Sequence, residues 1–234
     1  MRTFSLPNTH VHPDLDYNAF CQCASEYSGN FYDFIPQEGG RLSISFGDMP
    51  STGDVQAINI PCLHALVRGL TAGSGDDIAG LACELNGTLY LLGSRVLCVP
   101  WFYARIDPTR RQLQYVNAGH EPPLLVRHDG TVERLEHTGA ALALSTRGRH
   151  REETVGVEPG DLLAIFSEAV SEEAVLNVVQ EHPHAGTAEL ARRVLEGPPQ
   201  AGEDRTFAAV RVVGAHRHPL MEEVAAESLA QCAA

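Results

Sequence analysis

The chain has 234 residues, and 17 Lys and Arg against 30 Asp and Glu give it a formal net charge of −13. This acidic balance disfavours a nucleic-acid partner, because binding a phosphate backbone requires a basic patch. No apolar stretch approaches the roughly 20 residues that cross a bilayer, and the N-terminus lacks the apolar run of a signal peptide. We therefore expect a cytoplasmic protein without a membrane anchor.

The first half of the chain changes from strand-like to helical periodicity. Alternating apolar residues predict strands in YNAFCQCA, NFYDFIP and RLSISFGD, separated by the turns EYSG and QEGG. Apolar residues spaced by three or four predict helices over Val55–Leu70 and Ile78–Leu92. Pro61 falls inside the first of these and is expected to kink it or to mark its true start.

In the second half the period returns to two. The predicted strands are CVPWFYARID, RQLQYVNAG, PPLLVRHDGTVERL, RHREETVGV and DLLAIFS, with turns at DPTR, GHEPP, HDG and EPGD. Short helices are expected at Glu172–Glu181 and Ala185–Leu195, a last strand at Thr206–Val213, and an amphipathic helix over residues 219–232. Strands, two helices and then a meander of strands are typical of a layered α+β domain.

Cysteine and histidine usage does not indicate a zinc site or a disulfide framework. The six cysteines are scattered through apolar segments, at Cys21, Cys23, Cys62, Cys83, Cys98 and Cys232. Buried free thiols in a reducing compartment explain this distribution better than disulfides do. The H-x-H pairs and the C-x-C pair have no finger-like spacing, so a structural zinc is not expected.

Acidic residues stand at several predicted strand ends and loops: Asp33, Asp48, Asp54, Glu168, Glu203 and Asp204. Carboxylates at the ends of apolar strands can converge at one sheet edge and bind a hard cation such as Mg²⁺ or Mn²⁺. Alternatively, each of them only caps its own turn. The pattern alone leaves both interpretations open.

The order of the segments resembles the metal-dependent PPM-type protein phosphatases, and among them the bacterial stage II sporulation protein E family. The resemblance rests on LSISFGDMPSTG, on YVNAGHEPPLLVR followed by DGTVERL, and on EPGDLLAIFSEAVSEE and EDRTFAAVRV. It implies an αββα sandwich over residues 16–214, between a loose lead-in at 1–15 and a C-terminal amphipathic helix or tail at 215–234. It also implies removal of phosphate from phosphoserine or phosphothreonine, often on small anti-sigma-factor antagonist proteins, with two Mn²⁺ or Mg²⁺ ions at the site.

Carried over residue by residue, the resemblance places the metal at Asp48, the backbone carbonyl of Met49, Glu168 and Glu203. Asp48 and Asn30 are the predicted catalytic residues, with Asn30 orienting water. Asp33 and Asp204 are predicted to lie behind these groups and support them.

Three positions depart from the family pattern. Asn30 stands where the family has aspartate in G-G-D-F-Y-D-F, and Glu168 and Glu203 replace aspartates of T-D-G and D-D-x-T. Asn30 keeps a carbonyl oxygen but loses a negative charge and adds an NH₂ group. Each glutamate carries its carboxylate about one bond, ~1.5 Å, further from the backbone, and a misplacement of ~1 Å can cost about a hundredfold in rate.

Three hypotheses follow. The first is a serine/threonine protein phosphatase with an altered metal site. The second is a pseudophosphatase that docks a phosphoprotein without cleaving it. The third is a dimerising regulatory piece, whose terminal helix would offer Leu220, Val224 and Leu229 as an apolar stripe. Packing of that helix on its own domain is the alternative to dimerisation.

Overall fold

The computed structural model describes residues 2–4, 12–24, 28–48, 54–92, 98–146, 148–196 and 203–214. Its strands, in chain order, are β1 Arg2–Phe4, β2 Leu15–Cys23, β3 Asn30–Gln37, β4 Arg41–Asp48, β5 Trp101–Asp107, β6 Gln112–Ala118, β7 Leu124–Val126, β8 Val132–Arg134, β9 Glu153–Gly156, β10 Leu162–Phe166 and β11 Arg205–Val212. Its α-helices are α1 Asp54–Gly73, α2 Ile78–Leu92, α3 Glu172–Glu181 and α4 Thr187–Val194.

The strands form two antiparallel sheets. One sheet has the order β1-β2-β11-β10-β7-β8, and the other has the order β3-β4-β5-β6-β9. In the second sheet, α1 and α2 separate β4 from β5, whereas β3 and β4 follow each other closely, as do β5 and β6. The first sheet joins distant parts of the chain, because β11 pairs with β2.

Alternation along each strand divides the apolar side chains between layers. On β5, Phe102 points between the two sheets, where it joins Ile44, Ile165 and Val210 in one buried cluster. Its neighbour Trp101 points the other way and packs under α1 and α2. Full burial of such a side chain stabilises the fold by about 1.5–3 kcal/mol relative to leaving it exposed.

Each pair of helices covers the outer face of one sheet. Leu63 and Val67 on α1, and Leu81 and Leu85 on α2, are buried against the sheet that contains β5. Likewise α3 and α4 bury apolar side chains, Val175 and Leu190 among them, against the sheet that contains β10 and β11. The result is the predicted αββα sandwich.

The observed elements follow the sequence predictions closely, with small differences. Helix α1 begins at Asp54 and continues past Pro61 to Gly73, so the proline does not mark its start. The segment PPLLVRHDGTVERL forms a hairpin of two short strands, Leu124–Val126 and Val132–Arg134. Within the predicted lead-in, residues 2–4 form a strand that pairs with β2. The predicted helix over residues 219–232 lies outside the described residues.

Among the helices that are described, none is long and apolar enough to cross a bilayer.

Candidate metal-ion site

The β3–β4 hairpin brings two of the predicted site residues together. Asn30, the first residue of β3, is the pairing partner of Asp48, the last residue of β4. The side chain of Asn30 is buried between the sheets, where its amide nitrogen donates to Thr206 Oγ1 at 3.0 Å and to the Asp204 carbonyl at 3.3 Å. Because the NH₂ group is used in these two bonds, the carbonyl oxygen is the end of Asn30 that is available to a cation or a water molecule.

The opposite sheet contributes the ends of β10 and β11. Ser167 N donates to the Thr206 carbonyl, and Thr206 N donates to Ser167 Oγ, both at 3.0 Å. These bonds fasten the segment after β10 to the start of β11. Glu168 follows Ser167 directly and Glu203 precedes β11, so both carboxylates lie at the same end of the sandwich as Asp48.

Asp204 holds a loop rather than standing free. Its Oδ1 accepts from Ala24 N at 2.7 Å and its Oδ2 accepts from Gly29 N at 3.1 Å. Both donors belong to the connection between β2 and β3, which ends at Asn30. Asp204 therefore positions the segment that precedes Asn30.

The electrostatics of Asp48 are those of a crowded acid. Partial desolvation raises the pKa of its carboxyl group, and repulsion from the carboxylates of Asp204 and Glu168 raises it further. In the part of the chain that the structure describes, no basic side chain pairs with Asp48, Glu168 or Glu203. Negative charge concentrated without a counter-ion favours the binding of a cation.

The donor set fits a hard divalent cation in its chemistry, since Asp48, Glu168, Glu203 and the carbonyl oxygen of Asn30 are all oxygen ligands. These oxygens do not form a closed cage: among the described residues, no three His, Cys, Asp or Glu side chains are grouped closely enough to hold a metal ion. Met49, predicted to contribute its backbone carbonyl, lies outside the described residues.

Asp33 occupies a different layer from the other predicted residues. Its carboxylate accepts from Arg68 Nε at 2.6 Å, from Arg68 Nη2 at 2.7 Å and from His64 Nδ1 at 3.4 Å. Burial raises the pKa of Asp33, but the hydrogen bonds from His64 and Arg68 outweigh it and hold the pKa below its usual range. Asp33 thus ties β3 to α1 on the outer face of the sheet, whereas Asn30 faces the inner layer.

The structure also involves residues that the sequence analysis did not single out. Ser28 Oγ accepts from Asn30 N at 3.1 Å, and Thr206 Oγ1 and Ser167 Oγ complete the polar links around Asn30. Hydroxyl residues have no periodic signature, and these contacts join segments up to 176 positions apart in the chain. Only Thr206 could have been singled out from the sequence, because it belongs to the EDRT segment on which the family resemblance rests.

Several known proteins are similar to this chain in sequence. A family model described as Stage II sporulation protein E matches residues 38–218. The phosphoserine phosphatase RsbU of Bacillus subtilis is 25% identical over 170 residues, which cover 72% of this chain and 50% of that protein. The phosphoserine phosphatase RsbP of the same organism is 26% identical over 203 residues, covering 82% of this chain and 49% of that protein. The chain thus spans about half the length of these two relatives.

Two solved structures show the same fold. The RsbU and RsbW domains of a Mycobacterium tuberculosis protein align with a TM-score of 0.75 and 20% identity, over 87% of this chain and 62% of that one. The catalytic domain of the serine threonine protein phosphatase PstP, solved in complex with 2 manganese ions, aligns with a TM-score of 0.61 and 17% identity, over 86% of this chain and 99% of that one. The predicted PPM-type phosphatase fold is confirmed.

Proposed function

Given that the chain belongs to the stage II sporulation protein E family, we propose that it is a metal-dependent protein serine/threonine phosphatase. The observation that carries the proposal is the crowding of Asp48 by Asp204 and Glu168 without a basic partner among the described residues. A catalytic site that must neutralise a phosphate group needs cations, and crowded carboxylates supply the place to bind them.

In this proposal Asp48, Glu168, Glu203 and the carbonyl of Met49 would hold Mn²⁺ or Mg²⁺. When bound, such an ion would activate water for attack and offset the charge of the phosphate. The carbonyl oxygen of Asn30 accepts a hydrogen bond from the attacking water and orients it. Asp204 keeps the loop before Asn30 in place through Ala24 N and Gly29 N.

The reaction is a hydrolysis in which no bond to the protein is made. A water oxygen forms a bond to phosphorus, the bond from phosphorus to the serine or threonine oxygen breaks, and the leaving oxygen takes up a proton. The products are the free hydroxyl side chain and inorganic phosphate.

The substrate we propose is a phosphorylated signalling regulator of the anti-sigma-factor-antagonist type. The support is that the two curated relatives are named phosphoserine phosphatases and that one structural neighbour combines RsbU and RsbW domains. The formal charge of −13 disfavours a nucleic-acid substrate.

A second candidate is a pseudophosphatase that binds the phosphoprotein without cleaving it. Asn30 is the specific observation that favours it, because Asn30 removes one negative charge and its NH₂ group is committed to Asp204 and Thr206. Under this alternative the fold and its docking surface persist while turnover is lost.

Phosphate release from a phosphoserine-bearing antagonist protein, measured with millimolar Mn²⁺, separates the two candidates. Turnover that disappears with chelator and in Asp48→Ala, but persists in the control Glu152→Ala, supports the phosphatase. Glu152 is an exposed carboxylate next to β9. Capture of the phosphoprotein in the presence of chelator, without any phosphate release when Mn²⁺ is added, supports the pseudophosphatase.

A further inference from the structure

Two cysteines lie side by side next to the candidate metal-ion site. Cys21 and Cys23 are separated by one residue on β2, and both are buried at the end of the strand, with exposed fractions of 4% and 5%. Their Sγ atoms are 3.6 Å apart. Cys23 is the last residue of β2 and pairs with Arg2 of β1.

The two thiols have different acidities. The hydrogen bond from Cys23 is the main cause that lowers the pKa of Cys21 to about 7, against the opposing effect of burial. The same hydrogen bond raises the pKa of Cys23, as do burial and the charges of Cys21 and Asp204. Because the thiolate is the reactive form of cysteine, Cys21 is the nucleophile of the pair and Cys23 is the thiol that remains protonated.

We propose that Cys21 and Cys23 are a modification site, a dithiol that hydrogen peroxide converts to a disulfide and that reductant restores. The Cys21 thiolate forms a bond to one peroxide oxygen, the O–O bond breaks, and the departing hydroxide takes up a proton as water. Cys23 then attacks the sulfur of the Cys21 sulfenic acid, and its proton leaves with the hydroxyl group as a second water. Two thiols and one peroxide thus give one disulfide and two waters.

Closing the disulfide would move atoms that hold the site. Residues two apart on an extended strand lie roughly 6.6 Å apart, whereas the Cβ atoms of a disulfide lie about 3.8 Å apart. Bringing the two sulfur atoms from 3.6 Å to bonding distance must therefore bend the end of β2 and break the pairing of Cys23 with Arg2. Ala24, which follows Cys23, donates its N–H to Asp204. On the other side, Cys21 Sγ contacts Ser28 Oγ at 3.5 Å, and Ser28 Oγ accepts from Asn30 N. Formation of the disulfide would therefore displace groups that are hydrogen-bonded to Asp204 and to Asn30.

The effect on metal binding and turnover rests on the proposed function, but the disulfide itself does not. A displacement of ~1 Å at the site is expected to lower turnover by roughly a hundredfold. Burial of both cysteines shields their sulfur atoms from bulky reagents. Exposed Cys62 and Cys83 should therefore react first with a large maleimide.

The test uses the full chain with the other four cysteines changed to serine, at Cys62, Cys83, Cys98 and Cys232. After treatment with hydrogen peroxide, the peptide that contains Cys21 and Cys23 should be lighter by two hydrogen atoms and should regain them with dithiothreitol. The matched control is Cys23→Ser in the same background, which should give a trappable sulfenic acid at Cys21 and no disulfide. Mass mapping of the unmodified chain repeats the experiment if the multiple variant fails to fold.

Three readouts decide between outcomes. The proposal predicts the disulfide mass, faster amide hydrogen exchange at Ala24 and Gly29 in the oxidised form, and weaker Mn²⁺ binding that dithiothreitol reverses. It is overturned if peroxide oxidises the exposed cysteines of the unmodified chain while Cys21 and Cys23 stay reduced, or if the disulfide forms without a change in exchange at these amides. Absence of Mn²⁺ binding in the reduced protein would contradict the proposed function alone, because the mass and exchange readouts need no metal.

Discussion

Asn30 and Asp48 lie directly opposite each other at the open end of the β3–β4 hairpin. One of them is a carboxylate whose pKa is raised by desolvation and by neighbouring acids, and the other is a neutral amide already bonded to the opposite sheet. An aspartate at position 30 would have added a further negative charge across from Asp48. The neutral amide therefore lowers the repulsion in the metal-free protein and also lowers the attraction for a cation.

The first prediction concerns Asn30→Asp. Replacing the NH₂ group by an oxygen removes the two donated hydrogen bonds and sets the new carboxylate against the Asp204 carbonyl. The metal-free variant should be less stable by about 1–3 kcal/mol. Its affinity for Mn²⁺ should rise on the order of tenfold, because an added carboxylate increases the ligand charge. Chemical denaturation with and without Mn²⁺ measures both effects.

Asn30→Ser provides the control, since it removes the amide without adding a charge. A loss of stability in Asn30→Asp without any gain in Mn²⁺ affinity over Asn30→Ser would show that position 30 does not contribute to cation binding.

A second prediction concerns Asp48→Asn. The raised pKa means that the ionised Asp48 destabilises the metal-free fold, and this cost is present at neutral pH and disappears as the pH falls and the carboxyl is protonated. The variant should be more stable at pH 7, by on the order of 0.5 kcal/mol after screening by solvent. It should also fail to gain stability from Mn²⁺, because a ligand stabilises a protein only when it binds the folded form.

Thermal unfolding at pH 7, with and without millimolar Mn²⁺, measures this prediction. A metal-free Asp48→Asn protein that unfolds at a lower temperature than the unmodified chain would contradict the electrostatic account of the site.

The third prediction concerns Arg68, which pairs with Asp33. Arg68→Ala leaves the buried Asp33 carboxylate with only the long contact to His64. Because the Arg68 side chain is itself 56% exposed, the loss of stability should stay below the ~3 kcal/mol that breaking a fully buried pair costs. Because the pair holds the pKa of Asp33 below its usual range, its stabilising effect is present above the unfolded pKa of about 3.9 and is lost as the pH falls further. The difference from the unmodified chain should therefore be largest at neutral pH and shrink in acid.

Urea denaturation at a series of pH values measures this difference. Asp33→Asn combined with Arg68→Ala is the control, because it removes the orphaned charge and should recover part of the loss. A cost for Arg68→Ala that is the same at pH 3 and pH 7 would exclude the ion pair as its cause.

The fourth prediction concerns His120, whose ring is buried edge-on against Phe46. Burial lowers the pKa of His120 to about 4, which the hydrogen bond to the Glu121 carbonyl only partly offsets. In the unfolded chain the His120 ring takes up a proton near pH 6.5, whereas in the folded protein it stays neutral down to about pH 4. The free energy of unfolding is therefore unaffected above pH 6.5 and decreases as the pH falls from about 6.5 to about 4. The loss from this residue should reach roughly 3 kcal/mol.

His120→Gln should flatten the decrease in stability across this pH range, whereas His184→Gln, which changes an exposed histidine, should leave it unchanged. Equal slopes for His120→Gln and the unmodified chain would contradict the buried neutral state of His120.

Local periodicity predicted most of the fold. The alternation around Trp101 and Phe102 predicted a strand, which is buried on both faces, and the spacing from Ile78 to Leu92 predicted α2 within its observed bounds. Pro61 made the start of α1 ambiguous in the sequence. The helix continues through it because burial of Leu63 and Val67 outweighs the one hydrogen bond that a proline removes.

The arrangement of the site was harder to predict from the sequence than the fold was. Acid positions at strand ends left open whether Asp48 and Glu168 would converge; in the structure, repulsion from Asp204 and Glu168 contributes to the raised pKa of Asp48. Alternation alone puts Asn30 and Asp33 on opposite faces of β3, but only the packing of the two sheets shows that Asn30 is the residue that faces inward. The pairing of Asp33 with Arg68 depends on how α1 packs over the sheet, which is a tertiary property.

The most direct test of the central claim is a calorimetric titration of the purified chain with Mn²⁺ up to millimolar concentration, beside Asp48→Ala and the control Glu152→Ala. The account predicts saturable binding in the unmodified chain and in Glu152→Ala, and loss of that binding in Asp48→Ala. Absence of binding in the unmodified chain, or equal binding in Asp48→Ala, would contradict a metal site built on Asp48.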